Sequence, residues 1–147
     1  MGGHPWFYFV EYQEDISKAL EELQEREFKA GRYNPVIRFL EFPIDLNAPS
    51  PGCQHDSIGD AIGDADADGT RSILDMEEIG NEPASGVVVA LPTERLIELY
   101  STHQPSRDMV EENMSFFYDI ERGQGIYIVI YHNNLPSEIF FAGYSYD

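Results

Sequence analysis

The stretch IYIVIYHNNLPSEIFFAGY, Ile126 to Tyr144, decides the fold. Two apolar, β-prone runs, IYIVIY and EIFFAGY, flank the polar HNNLPS, and Asn133 and Asn134 stand near the point where the chain must turn. The pattern predicts a β-hairpin. Along its first arm Ile126, Ile128 and Ile130 face one side, and Tyr127, Val129 and Tyr131 the other. A hairpin is antiparallel by construction, so the sheet that contains it is at least partly antiparallel.

Upstream, WFYFVEY (Trp6 to Tyr12) is aromatic and reads as a first strand. EDISKALEELQEREFKAG then places Ile16, Ala19, Leu20 and Leu23 on one face, with acids at its start and Gly31 as a stop, which predicts an amphipathic helix over about 14–30. PVIRFLEF (Pro35 to Phe42) is expected to be a second strand, and PIDLNAPSPGCQHDS has the composition of a loop. From Asp56 to Ser85 the chain becomes small, acidic and glycine-containing, so 43–85 reads as an irregular acidic segment. GVVVAL (Gly86 to Leu91) resumes the strands. PTERLIELYS follows as a helix with Pro92 and Glu94 in its first turn. SRDMVEENMSFFYDIERG predicts a third helix capped by Ser106, with Val110, Met114 and Phe117 on one face and Gly123 ending it. The expected class is α+β: one domain over 1–147, built on a single mixed or largely antiparallel sheet of about five strands with three helices and a C-terminal hairpin.

Composition narrows the function. The chain has 147 residues, one domain's worth, with 42% apolar and 13% aromatic residues, enough for one aromatic-rich core. Its 27 Asp and Glu against 9 Lys and Arg give a net charge of -18. Such a surface repels nucleic-acid phosphates and anionic lipid and favours cations or basic protein patches. Cys53 is the sole cysteine, so no internal disulfide forms, and no basic-then-apolar export signal opens the chain; a cytoplasmic protein is expected. Apolar runs fall far short of the ~20 residues of a membrane-spanning helix.

The sharpest motif is GDADADGTRSILD, Gly63 to Asp75. Counted from Asp64, an EF-hand calcium loop would take Asp64, Asp66, Asp68, the Thr70 carbonyl, Ser72 and Asp75 as ligands, with Gly69 at the sharp turn. The spacing matches throughout, although position 12 is Asp75 rather than the longer Glu, and Gly59 and Gly63 weaken the entering helix. DADGT, Asp66 to Thr70, also resembles the first motif of the haloacid dehalogenase superfamily. That resemblance implies a nucleophilic first aspartate, a general-acid second one and Mg²⁺ on the phosphate. The family sets the motif at the end of a buried apolar strand and needs a downstream lysine. Here AIGDA precedes it and Lys18 and Lys29 both lie upstream, so neither Asp66 nor Asp68 receives a catalytic role.

CQHD (Cys53 to Asp56) sets a thiol, an imidazole and a carboxylate together in sequence, which is weak ground for a nucleophile-base pair, because such groups usually meet from distant segments. His4, His55, His103 and His132 lack the spacing of a zinc site. Tyr127, Tyr131 and Tyr144 are candidate interface residues if their surface is left uncovered. Three readings follow. The leading one is a non-catalytic interaction domain of inhibitor, immunity or adaptor type that binds a basic protein. The second is a Ca²⁺-binding domain using the Asp64–Asp75 loop. The third is an enzyme of unidentified type, with a pocket between the sheet and the 43–85 segment.

Overall fold

The computed structural model describes residues 3–37 and 48–146. Its α+β fold centres on one mixed five-stranded sheet: β1 (Pro5–Glu11), β2 (Glu78–Gly80), β3 (Val87–Ala90), β4 (Gly125–His132) and β5 (Leu135–Tyr144), in the order β1-β5-β4-β3-β2. β1, β5 and β4 pair antiparallel, while β4, β3 and β2 pair parallel. The helices are α1 (Ile16–Ala30), α2 (Ile58–Ala65), α3 (Thr93–Tyr100) and α4 (Arg107–Glu112), with short 3₁₀ turns at Asp66–Asp68, Ile73–Asp75 and Ser115–Asp119.

The hairpin forms as its residues dictate. Asn133 and Asn134 have φ of 51° and 64°, the left-handed pair that a two-residue turn between right-twisted strands requires and that asparagine tolerates. β4 and β5 then zip with Tyr127 opposite Phe141 and Ile128 opposite Phe140, and the register shifts at Ile130/Tyr131. Because side chains alternate, the two sheet faces collect different cores. One face gathers Trp6, Tyr8, Val88, Ile139 and Phe141 under α1, α2 and the Ile73–Asp75 turn. On the other, Phe9, Ile126, Ile128, Ile130 and Phe140 meet Leu96, Tyr100, Val110 and Phe116. Phe140 anchors the second core, its ring centroid 4.6 Å from Phe9 and 5.5 Å from Phe116.

Helix α1 begins at Asp15, whose carboxylate accepts from the Lys18 amide at 3.0 Å. It ends in a Schellman turn: Gly31, at φ 75°, donates to the Phe28 carbonyl at 3.1 Å, and the Arg32 amide returns to the Glu27 carbonyl at 3.2 Å. This closure brings the Arg32 guanidinium onto the Glu27 carboxylate, with Nε to Oε1 at 2.8 Å and Nη2 to Oε2 at 2.6 Å. Glu27 is fully buried and Arg32 nearly so.

Several elements differ from expectation. Residues 35–37, read as the start of a strand, form a turn, and 38–42 lie outside the described residues. The predicted third helix stops at Glu112. Asn113 takes extended backbone, and its side-chain oxygen accepts from the Ser115 amide at 3.0 Å, a local bond that competes with helix continuation. Phe116 then turns fully into the second core from a 3₁₀ turn. Within the acidic stretch, Ser57 caps α2 by accepting from the Asp60 amide, Ala61 packs into the core under α1 and Ala65 is buried, so packing makes a helix despite Gly59 and Gly63. Among the described residues no helix is long and apolar enough to cross a membrane.

Candidate functional site

The aspartate loop divides into an outer and an inner half. Asp64, Asp66 and Asp68 are exposed, the last two in a 3₁₀ turn that follows α2. Thr70, Ser72 and Asp75 are buried and bonded to one another. The Thr70 amide and hydroxyl both donate to Asp75 Oδ1, at 2.8 and 2.7 Å, and Thr70 Oγ1 lies 3.0 Å from Ser72 Oγ, which also accepts from the Leu74 amide at 3.2 Å. Asn34 closes the knot: its amide donates to the Thr70 carbonyl at 2.8 Å and its side chain to the Gly69 carbonyl at 3.0 Å. The outer and inner halves of the loop are thus engaged differently. Asp75 turns inward to Thr70, and the Thr70 carbonyl is occupied by Asn34. Among the described residues no group of three or more His, Cys, Asp or Glu is arranged to hold a metal ion. Asp66 and Asp68 likewise follow a helix rather than end a buried strand, so the five-residue likeness to the dehalogenase motif has no matching frame.

Burial pushes the Asp75 carboxyl above the usual carboxylate range, more than the Thr70 bonds pull it down. A raised value in the folded state means that Asp75 favours folding most below the unfolded carboxylate range, and this contribution is lost as pH rises through the raised value. Asp75→Ala is expected to destabilise by about 2 kcal/mol, since it leaves the buried Thr70 donors unpaired. Asp75→Asn keeps an acceptor without the buried charge and should cost less; denaturant unfolding at neutral pH measures both. Millimolar Ca²⁺ at fixed ionic strength is expected to leave these midpoints unchanged.

A constellation invisible in the linear sequence lies beside this loop. The Tyr33 hydroxyl is 2.8 Å from His55 Nδ1, and His55 Nε2 is 2.9 Å from Asp64 Oδ2. Two of its members come from the CQHD and DADADG motifs, but the third, Tyr33, is contributed by the turn after α1, which neither motif signals. His55 and Asp64 line a cavity of about 340 Å³ with Pro35, Val36 and Gln54. Tyr33 does not line it, is itself fully buried, and has its hydroxyl pKa raised, chiefly by burial. These bonds tie the 31–37 turn to α2. Cys53 is exposed, and its amide is bonded to the Lys29 carbonyl.

The three candidate tyrosines do not share a surface. Tyr127 is half-buried on the α1 side, its ring 6.3 Å from Phe141. Tyr144 lies on the opposite face, edge-on to Phe117 at 5.3 Å. Tyr131, past the register shift, lines a small cavity with Arg107 and Glu138. Burial raises the hydroxyl pKa of Tyr127 and Tyr144.

Charge is distributed more decisively than the tyrosines. Among the described Asp and Glu residues only Glu27 and Asp75 are buried, and five of the bases form ion pairs: Arg32 and Arg26 with Glu27, Lys29 with Glu25, Arg95 with Glu98 and Asp119, and Arg107 with Glu111 and Glu138. No Lys or Arg occurs between Cys53 and Thr70, where Asp56, Asp60, Asp64, Asp66 and Asp68 are all exposed. On the other side of the sheet, the ends of β2 and β3 and the start of α3 frame a groove of about 560 Å³. Val89, Leu91 and Ile126 form its floor, and Pro83, Pro92, Arg95, Glu98 and Asp119 stand around it. The chain matches no family model, no curated protein and no solved structure.

Proposed function

We propose that this is a non-catalytic interaction domain, of the inhibitor, immunity or adaptor type, whose acidic surface engages a basic protein in the cytoplasm. One observation supports the reading above others: among the described acids only Glu27 and Asp75 are buried, and the net charge of -18 leaves far more exposed carboxylates than there are bases to pair with them, so a negative potential is presented at the surface. At His55 the imidazole is bonded on both nitrogens, and among the described residues no group of three or more His, Cys, Asp or Glu is arranged to hold a metal ion.

Electrostatic recognition has a measurable signature, because screening lengths shorten with ionic strength. Titration calorimetry against a panel of basic proteins of similar size is expected to give a complex that weakens at least about tenfold between ~50 and ~300 mM salt. Acidic proteins of the same size should not bind. Affinity independent of salt, or absent for every basic protein, would sink this reading.

A further inference from the structure

We propose that the groove beside α3 seats an arginine or lysine side chain from an extended basic segment of the partner. The inference rests on the acidic-interaction reading and adds the place and chemistry of contact. Long basic side chains are amphipathic: an aliphatic stem favours apolar surface while the charged head stays at a polar rim. The groove has both parts in that order. Val89, Leu91 and Ile126 supply the floor with Pro83 and Pro92 beside them, and Glu98 and Asp119 supply carboxylates whose side chains remain 65% and 42% exposed.

Arg95 holds these two acids in place, with Nε to Asp119 Oδ2 at 2.6 Å and Nη1 to Glu98 Oε2 at 3.0 Å. Two carboxylates around one guanidinium leave the rim net negative, so a cation completes it. An anion would meet both acids, and a wholly apolar ligand would leave them unused. The volume, about 560 Å³, lies within the ~300–1,000 Å³ typical of ligand sites. The acidic α2 surface carries more charge than the groove, and the cavity beside it is smaller, about 340 Å³. Its lining is Pro35 and Val36 with Gln54, His55 and Asp64, where the imidazole already bonds the one carboxylate, whereas the groove carries two carboxylates.

The test uses hexa-arginine as probe, with hexa-citrulline as its uncharged analogue, and follows backbone amide shifts of the whole chain. Hexa-arginine is expected to shift amides concentrated at 81–83, 89–98 and 118–120. Glu98→Gln with Asp119→Asn should weaken binding at least about fivefold more than Asp66→Asn with Asp68→Asn, which removes the same charge from the other side of the sheet. Unchanged shifts elsewhere in the spectrum check that the groove variant remains folded. Equal weakening by the two pairs, shifts centred on α2, or equal binding of hexa-citrulline would overturn the groove assignment while leaving salt-sensitive binding of basic proteins intact. Loss of that binding as well would remove the reading on which it rests.

Discussion

Arg32→Ala is expected to lower stability by about 3–5 kcal/mol, the cost of stranding a buried charge. The charge stranded is that of Glu27, which is fully buried on the inner face of α1 and receives both arms of the Arg32 guanidinium. Arg26 also reaches Glu27, at 3.3 Å, but from a side chain 42% exposed, and a solvent-screened contact of this kind is worth little beside the buried fork. At roughly 2–4 °C per kcal/mol for a domain of this size, the thermal midpoint should fall by about 10 °C. Replacing both partners together, Glu27→Leu with Arg32→Met, should recover most of the loss, because no charge then remains inside. If the single and double variants unfold alike, the pair is not the source of the effect.

Gly143→Ala is expected to be nearly as damaging. A Cβ built on Gly143 would press into the Trp6 indole at Cζ2 and stand 2.5 Å from the Gln124 carbonyl oxygen. Neither neighbour can yield easily, since Trp6 is fully buried and Gln124 is held by the bond from the Tyr144 amide at 3.1 Å. Overpacking of this kind costs typically about 1–3 kcal/mol, and a backbone clash places this case at the upper end. Gly125 lies directly opposite Gly143 in the β4–β5 register, yet its added Cβ would come no closer than 3.0 Å to Trp6, so Gly125→Ala should cost distinctly less. Chemical denaturation of the two variants side by side checks the ordering; equal losses would mean that the indole has room to move.

What the sequence disclosed of this fold was local. The hairpin announced itself because alternation, chain length and the Asn133-Asn134 turn all point one way, and α1 because its apolar spacing, acidic start and Gly31 agree. The stop at Asn113 escaped notice because a helical apolar spacing continues through Met114 and Phe117, while the decision lies in a side-chain bond to the Ser115 amide. β2 escaped for the opposite reason: Glu78–Gly80 is three residues long and owes its strand geometry to β3 rather than to any pattern of its own.

The candidate sites show the same limit. Ligand spacing in the Asp64–Asp75 loop was legible, but the direction of Asp75 was not, because it is set by Asn34 and Thr70 across the loop. His55 and Asp64 stand in motifs that drew attention separately, and only tertiary structure joins them to Tyr33. The groove at α3 combines residues from 81 to 126 and carries no sequence signature.

The strand order carries a consequence for how the molecule is made. β5 lies between β1 and β4, so the strand nearest the start of the chain finds its neighbour about 130 residues later. A nascent chain that has emerged through β4 still holds Trp6, Tyr8 and Phe9 on a strand without that neighbour, and β4 without its hairpin partner. The sheet therefore cannot close until β5 has been made. Until then the aromatic strand is an unpaired edge of the kind prone to pair with other chains.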